Sequence, residues 1–260
     1  MKNYLIEHDD ENMRLDFQNK IDVYDLDKEL AHFQWNPEAL ILDAGCGNGN
    51  VIEKLLSLGM KSIHGVDFSE ERIKQAQARF NSQAEVHLFN RSLENTDFAS
   101  NTYDIIICRY IYEHIPNPVN IIKELNRILK PGGLIYIINF DDIFFNFYTK
   151  DDSLNQDLKK LKSKLPQDFE IARKIPQFLK QNGFQDIAWD AETFFFKGER
   201  LKLEMENNRM RLEQGKGHLS KYFPDENKYL DFSRAYLNEM QDDCNVMAAT
   251  KYLIKARKTG

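Results

Sequence analysis

The stretch "LDAGCGNGN", residues 42–50, constrains this chain more than any other. A short apolar run, residues 39–42, leads straight into it. Three glycines then alternate with other residues: Gly45, Gly47 and Gly49. A helix-like pattern follows over residues 51–58, with Gly59 placed as its stop. A strand that enters a turn with so little side chain, and then a helix, lets another molecule approach the backbone. Open α/β sheets build cofactor sites in this way. The dinucleotide version needs G-x-G-x-x-G, whereas the spacing here is G-x-G-x-G, with Asn50 where the third dinucleotide glycine belongs. Asp43 stands just ahead of the glycines, and a second acid, Asp67, ends the next strand-like run. Asp67 is placed to accept hydrogen bonds from two ribose hydroxyls. The plainer alternative is a tight turn and a helix cap.

The remaining pattern says what surrounds that turn. Met13, Phe17, Ile21 and Tyr24 recur at roughly helical spacing within residues 9–33, and Pro37 closes the segment. Residues 62–66, 85–89, 103–108 and 134–140 read as further short apolar strands. Ser69 is placed to cap a helix whose first turn carries Glu70 and Glu71. Residues 118–130 read as a helix ended by Pro131-Gly132-Gly133. Apolar strands alternating with helices predict a parallel sheet covered on both faces. Beyond Phe140 the pattern changes. Residues 151–184 look helical and charged, with Pro166 and Pro176 as breaks. Residues 185–196 look like a strand, 199–211 and 227–240 like helices, and 246–256 like a last strand with Tyr252 and Ile254 alternating. Lys159, Lys160, Lys162 and Lys164 read as a solvated helix face rather than a basic patch for RNA.

Composition narrows the function classes. The 260 residues carry a formal net charge of −6, which argues against a dedicated nucleic-acid or anionic-membrane binder. The acidic start MKNYLIEHDDEN has no apolar core of a secretory signal, and no apolar run approaches the ~20 residues that span a bilayer. Three widely spaced cysteines, Cys46, Cys108 and Cys244, suggest neither a disulfide framework nor a metal cluster. The expectation is a cytoplasmic protein with no metal site, no nucleic-acid partner and no membrane partner.

Four segments in order, "ILDAGCGNG", "HGVDFSEERI", "YDIIICRYIYEHIPNP" and "LKPGGLIYIINF", resemble the successive motifs of the class I methyltransferases that use S-adenosylmethionine. More narrowly, "YLIEHDDENMRLDFQ", "CRYIYEHIPNP" and "IARKIPQFLKQNGF" resemble a group of bacterial methyltransferases, largely of unassigned substrate. The resemblance implies a Rossmann-like, doubly wound, mostly parallel seven-stranded sheet with an antiparallel strand near the C-terminus and helical cap insertions. It implies one domain over residues 1–260: an N-terminal helical lid (1–36), a cofactor-binding core (37–141), cap and late-fold elements (142–245) and a last strand (246–256). The cofactor implied is S-adenosyl-L-methionine, with S-adenosyl-L-homocysteine as product.

The resemblance also assigns residues. Gly45, Cys46 and Gly47 would let the backbone pass close to the amino-acid part of the cofactor, Cys46 through its main chain. Asp43 would lie near the ammonium group, and Asp67 would bind the ribose. Phe68 would lie against the adenine, or else belong to the core. Related enzymes often carry an acid after the third strand; here Ser92 and Leu93 stand there, with Glu94 as a substitute two residues on. Cys108 and Arg109 end the fourth strand, where Arg109 would bind the cofactor carboxylate or an acidic substrate group, or form a structural salt bridge. Tyr4, Arg14 and Gln18 would fold over the cofactor as a lid, Arg14 and Gln18 sharing a helix face; the alternative is a packed helix without ligand contact. Tyr110 and His114 are the candidate catalytic residues, His114 as general base or as a residue that orders the loop before Pro116. Asp141 and Asp142 also point toward the substrate end. The aromatic residues Phe144, Phe145, Phe147, Tyr148 and Phe194 to Phe196 would wall an apolar acceptor pocket or form plain core. The reaction expected is methyl transfer to an O, N or C nucleophile of a small-molecule acceptor. The alternatives are an RNA or protein methyltransferase, a non-catalytic S-adenosylmethionine-binding module, and an NAD-dependent oxidoreductase.

Overall fold

The first strand, β1 (Ile41–Ala44), is buried along its whole length, which is what a strand covered on both faces requires. A computed structural model of the chain describes residues 9–242 and 244–260. Before β1 come α1 (Asp9–Gln18) and α2 (Leu26–Ala31). After it come α3 (Asn50–Ser57), β2 (Ile63–Asp67), α4 (Glu70–Arg79), β3 (Val86–Asn90), β4 (Tyr103–Arg109), α5 (Pro118–Ile128) and β5 (Leu129–Asp141). The later part holds α6 (Asp152–Lys164), α7 (Ile175–Gln181), β6 (Phe184–Phe196), α8 (Gly198–Leu219), α9 (Glu226–Glu239) and β7 (Met247–Lys258). The sheet has seven strands in the order β3-β2-β1-β4-β5-β7-β6, mixed, with one antiparallel strand in its C-terminal part.

Alternation along the strands sorts the apolar residues onto two faces. Ile106 and Cys108 of β4, with Ile135 and Ile137 of β5, join a core closed by Ile121, Ile122, Leu125 and Ile128 of α5. Ile105, Ile107, Tyr136 and Ile138 join the opposite core, closed by Val51, Ile52 and Leu55 of α3 and Leu30 of α2. Pro118 opens α5 at a position where a missing N–H costs nothing. Pro176 likewise lies in the first turn of α7, so it starts that helix instead of breaking one.

The chain divides into two compact units. One comprises Leu26–Phe140, Glu170–Ala191 and Lys251–Gly260; the other comprises the residues up to Asp25, Asp141–Phe169 and Glu192–Thr250. The first unit holds β1 to β5 and both cores just described. The second is mainly helical: α1 packs on α8, α8 on α9, and α6 on α9. Its interior is unusually polar. Glu204, Asn207 and Asn208 of α8 are fully buried. Glu204 and Asn207 bond to each other and to Arg14 and Tyr24: Arg14 Nη1 donates to Asn207 Oδ1 at 3.0 Å, and Tyr24 Oη to Glu204 Oε2 at 3.2 Å, whereas Asn208 donates to Tyr236 Oη and accepts from Arg211 Nη1 at 2.5 Å. Burial first, opposed by Arg211, raises the Glu204 carboxyl above its ordinary value. Among the described residues no helix is long and apolar enough to cross a membrane.

The turn after β1 depends on glycine for two separable reasons. Gly49 has φ +92°, and a Cβ there would overlap the Phe80 ring. Gly59 has a similar φ, +82°, but open space around it. Gly59→Ala is therefore expected to cost roughly 1–2 kcal/mol from backbone strain alone. Gly49→Ala adds overpacking of roughly 1–3 kcal/mol. Urea unfolding of both variants measures the difference, and equal losses would show that Phe80 yields without cost.

Candidate functional site

Parallel register brings the chemistry to one edge. Asp43 is paired with Gly65 and Ile107, and Ala44 with Val66 and Cys108. Asp67 is paired with Asn90. The carboxyl ends of β1, β2, β3 and β4 therefore lie side by side. The order reverses at β1, whose neighbours β2 and β4 are reached by crossovers in opposite directions, and such a switch point opens a crevice.

The glycine turn is tied down on its inner side. The amides of Gly45 and Cys46 donate to the Val66 carbonyl at 2.8 and 3.0 Å. The Gly47 amide donates to Asp67 Oδ2 at 3.0 Å, and the Ser69 amide to Asp67 Oδ1 at 2.9 Å. Gly45, Gly47 and Gly49 all take left-handed φ values, 79°, 54° and 92°, which turn the backbone tightly and leave no side chain in the way. A Cβ at Gly45 would sit 2.5 Å from Ile111 Cγ2, so the turn packs directly on the segment after β4. Ser69 caps α4 as its position predicts, its hydroxyl accepting from the Arg72 amide at 3.4 Å.

Asp43 is the chemical outlier. It is 1% exposed, and its Oδ2 has no hydrogen-bond partner among the described residues. Burial, then the charge of Asp67, push its carboxyl up to about 8, against the opposing effect of Arg109. A buried carboxyl left unsatisfied beside the glycine turn fits a cationic ligand group. Cys46 and Cys108 are both buried, and burial raises their thiols well above the ordinary range, so neither is a thiolate nucleophile at neutral pH.

Phe68 is 46% exposed at the end of β2 and so is not core. Its carbonyl accepts from Asn90 Nδ2 at 2.8 Å, and the same amide donates to the Asp67 carbonyl at 3.1 Å. Asn90 thus braces the Asp67–Phe68 corner, a role that no sequence pattern marked. Ser92 bridges to Asn95, and its hydroxyl accepts from the Glu94 amide at 3.2 Å. Leu93 packs against the α5-side core.

Beyond β4 lies a buried charge cluster. Arg109 Nε donates to Glu29 Oε2 at 2.6 Å, and Lys251 Nζ to Glu29 Oε1 at 2.5 Å. The Tyr110 hydroxyl donates to the same Oε1. Arg109 lies over the Tyr110 ring, 4.4 Å from its centroid, and that ring stacks on Phe140 at 5.1 Å. Tyr110 holds φ +55°, a strained value for an aromatic residue. Burial works against the Arg109 charge, but Glu29, Tyr110 and Asp43 hold its pKa above the ordinary value. Glu29 and Lys251 were not among the sequence candidates. Glu29 reaches Arg109 from 80 residues away and Lys251 reaches Glu29 from 222 residues away, and no local pattern announces that. His114 ends a short helical turn, Tyr112–His114, with its Nε2 3.6 Å from Glu113 Oε1.

The candidates upstream and downstream fall in the helical unit or outside the described residues. Arg14 and Gln18 are buried there, Arg14 Nη1 donating to Gln18 Oε1 at 2.7 Å. Tyr4 lies outside the described residues. Asp142 pairs with Lys162 at 2.5 Å, and Asp141 is buried. Phe144 stacks on Tyr236 at 4.5 Å, with Phe145 and Phe147 edge-on to that pair, whereas Tyr148 and Phe195 are exposed.

Part of the chain is similar to known proteins. Residues 42–137 match the family model described as a methyltransferase domain. The chain is 25% identical over 138 residues to the ubiquinone biosynthesis O-methyltransferase of Leptothrix cholodnii, covering 42% of this chain and 58% of that one. It is 32% identical over 103 residues to the protein of the same name from Colwellia psychrerythraea, covering 37% and 39%. The chain thus spans about half the length of the curated relatives it matches. Among solved structures, phosphoethanolamine N-methyltransferase 2 of Haemonchus contortus with S-adenosyl-L-methionine is 21% identical with a TM-score of 0.59, covering 96% of this chain and 53% of that one. The YcgJ protein of Bacillus subtilis is 17% identical with a TM-score of 0.61, covering 90% and 98%. At such identities the structural likeness is one of fold. Residues 42–137, the segment carrying the glycine turn, Asp67 and the end of β4, are similar to the S-adenosylmethionine-dependent methyltransferase domains.

Proposed function

We propose that this chain transfers a methyl group from S-adenosylmethionine to an O, N or C nucleophile of a small-molecule acceptor. The observation that carries the reading is Asp43: a buried carboxyl with an unsatisfied oxygen, set at the mouth of the glycine turn. Together with Asp67, that acceptor suits a molecule with an ammonium at one end and a ribose at the other. The names of the curated relatives, which are O-methyltransferases of ubiquinone biosynthesis, support a small-molecule acceptor.

When bound, the cofactor supplies a sulfonium methyl that is intrinsically electrophilic. The chain's own residues then divide the work. The side-chain-poor turn from Gly45 to Gly49 admits the aminoacyl end, with Cys46 acting through its main chain. Asp43 accepts from the ammonium. Each oxygen of Asp67 already holds one backbone N–H and keeps a lone pair for a ribose hydroxyl. Phe68, 46% exposed just past β2, would lie against the adenine, with Ser92 and Leu93 just past β3. Arg109 and the end of β4 at Cys108 complete the aminoacyl side. The Tyr110 hydroxyl donates to Glu29, which favours a holding role over proton abstraction, and leaves His114 as the candidate base for an acceptor that needs one. Alignment of the nucleophile and exclusion of water carry the rate, so no catalytic triad is required.

The first test is calorimetric titration with S-adenosylhomocysteine, using NADH as control. Binding on the order of micromolar is expected, with none for NADH, and Asp67→Ala weakening it at least ~10-fold, about 1.4 kcal/mol. NADH binding without S-adenosylhomocysteine binding would replace this reading with the oxidoreductase one. Binding with no methylation of any hydroxy, amino or carbon acceptor offered, or methylation of RNA or protein instead, would favour the corresponding alternative.

A second expectation concerns pH. With its carboxyl raised to about 8, Asp43 is mostly protonated in the free protein at pH 7, and a cationic group bound beside it drives the proton off. Affinity for S-adenosylhomocysteine should therefore tighten by up to ~10-fold per pH unit from pH 6 to pH 8. The binding enthalpy should also depend on the ionisation enthalpy of the buffer. Asp43→Asn should flatten both dependences, and unchanged profiles in that variant would locate the titration elsewhere.

A further inference from the structure

The cluster beyond β4 has a centre that neither the motifs nor the comparisons mark. Glu29 of α2 is 1% exposed, and its two oxygens take three donors: Arg109, Lys251 and the Tyr110 hydroxyl. Arg109 and Lys251 are themselves nearly buried, with side chains 9% and 4% exposed. Two of the three donors are consecutive residues at the end of β4. The next residue, Ile111, is the one whose side chain fills the space a Cβ at Gly45 would need. A rigid path therefore runs from the Glu29 carboxylate, through two hydrogen bonds, to the backbone of residues 109–111 and onto the first glycine of the turn. The Tyr110 amide donates to the Ile138 carbonyl at 2.8 Å, which fixes the same segment to β5. The positive φ of Tyr110 is sustained only if its surroundings over-determine it, and the bond from its hydroxyl to Glu29 is one of the constraints that do so. The guanidinium of Arg109 is held by Glu29 and also feels the charge of Asp43.

We infer that Glu29 is a positioning residue for the aminoacyl end of the cofactor: by clamping Arg109 and Tyr110 it sets both the guanidinium and the Ile111–Gly45 contact that shape that half of the site. The inference rests on the cofactor reading proposed above. Glu29 touches no reacting atom. It acts on one half of the ligand, because the ribose and adenine side is built separately, from Asp67, Phe68 and Asn90 on β2 and β3. Conversely, Lys251, contributed by β7, closes the cluster and links a strand late in the chain to a residue that precedes the sheet.

This asymmetry makes the inference testable by binding alone. S-adenosylhomocysteine carries the aminoacyl tail, and 5′-methylthioadenosine carries the same adenine and ribose without it. In E29Q, affinity for S-adenosylhomocysteine should fall at least ~10-fold while that for 5′-methylthioadenosine stays within ~2-fold. If E29Q does not fold by circular dichroism, the charge-balanced variant E29Q/K251M, which removes one buried anion and one buried cation together, is measured in its place with the same expectation. Y110F should shift the ratio of the two affinities in the same direction by a smaller factor. Equal weakening of both ligands would mean that the cluster is a general support for the unit, and unchanged affinity for both would mean that Glu29 bears on neither; either result overturns the inference and leaves the cofactor reading intact. Failure of the unaltered protein to bind either ligand would instead sink the cofactor reading, and this inference with it.

Discussion

The hydrogen bond from the Gly47 amide to Asp67 Oδ2 joins those from the Gly45 and Cys46 amides to the Val66 carbonyl in tying the turn after β1 to the end of β2. It determines how far the glycine turn stands from the sheet, and Asp67's other oxygen fixes the start of α4 through Ser69. One carboxylate therefore sets the entry to two helices and the floor between them. Its environment explains why the arrangement tolerates a charge: backbone N–H groups point at it from both sides, a setting in which a carboxylate stays satisfied. The left-handed glycines are a consequence. The backbone must double back within hydrogen-bond reach of β2, and Ile111 and Phe80 already occupy the space that side chains at Gly45 and Gly49 would need.

Charge at this edge is arranged in layers. Asp43 and Asp67 are both nearly buried, and their mutual repulsion adds to the burial that keeps a proton on Asp43. Arg109 answers that negative potential but is anchored to Glu29 instead of to Asp43. Had Arg109 paired directly with Asp43, the carboxyl would have been satisfied and discharged of any affinity for a cation. Asp43 thus keeps an oxygen with no partner among the described residues while the nearby arginine is held elsewhere. Buried ion pairs contribute little net stability, which fits a cluster that orients residues more than it stabilises the fold.

The helical unit follows a different logic. Its long helix α8 buries Glu204, Asn207 and Asn208, and each is answered by a polar partner, with Arg14, Tyr24 and Arg211 supplying much of the donation. Around them stand the stacked Phe144 and Tyr236. Such an interior specifies which helices pair, because a mismatched partner would strand a buried polar group. It also explains why Arg14 and Gln18, which share a helix face, are found bonded to each other and to Asn207.

What the amino-acid sequence by itself determined is local. Apolar runs bounded by glycine and proline located β1 to β5 to within a few residues, except that β5 begins at Leu129 instead of Leu134, because pairing with Tyr103 draws the Pro-Gly-Gly segment into the strand. The alternating glycines, Asp43, Asp67 and the Ser69 cap were legible because a turn, a strand end and a helix start each have their own residue chemistry. Phe68 was legible as an aromatic at a strand end, but only its exposure separates a ligand face from core. Only the tertiary structure decided the rest. Glu29, Lys251 and Asn90 look like ordinary residues of a helix and two strands. Strand register and helix packing bring them to the ends of β4 and β2 from distant parts of the chain. A carboxylate's partners, and hence the charge it carries, are properties of what surrounds it in space, and no periodicity along the chain encodes them.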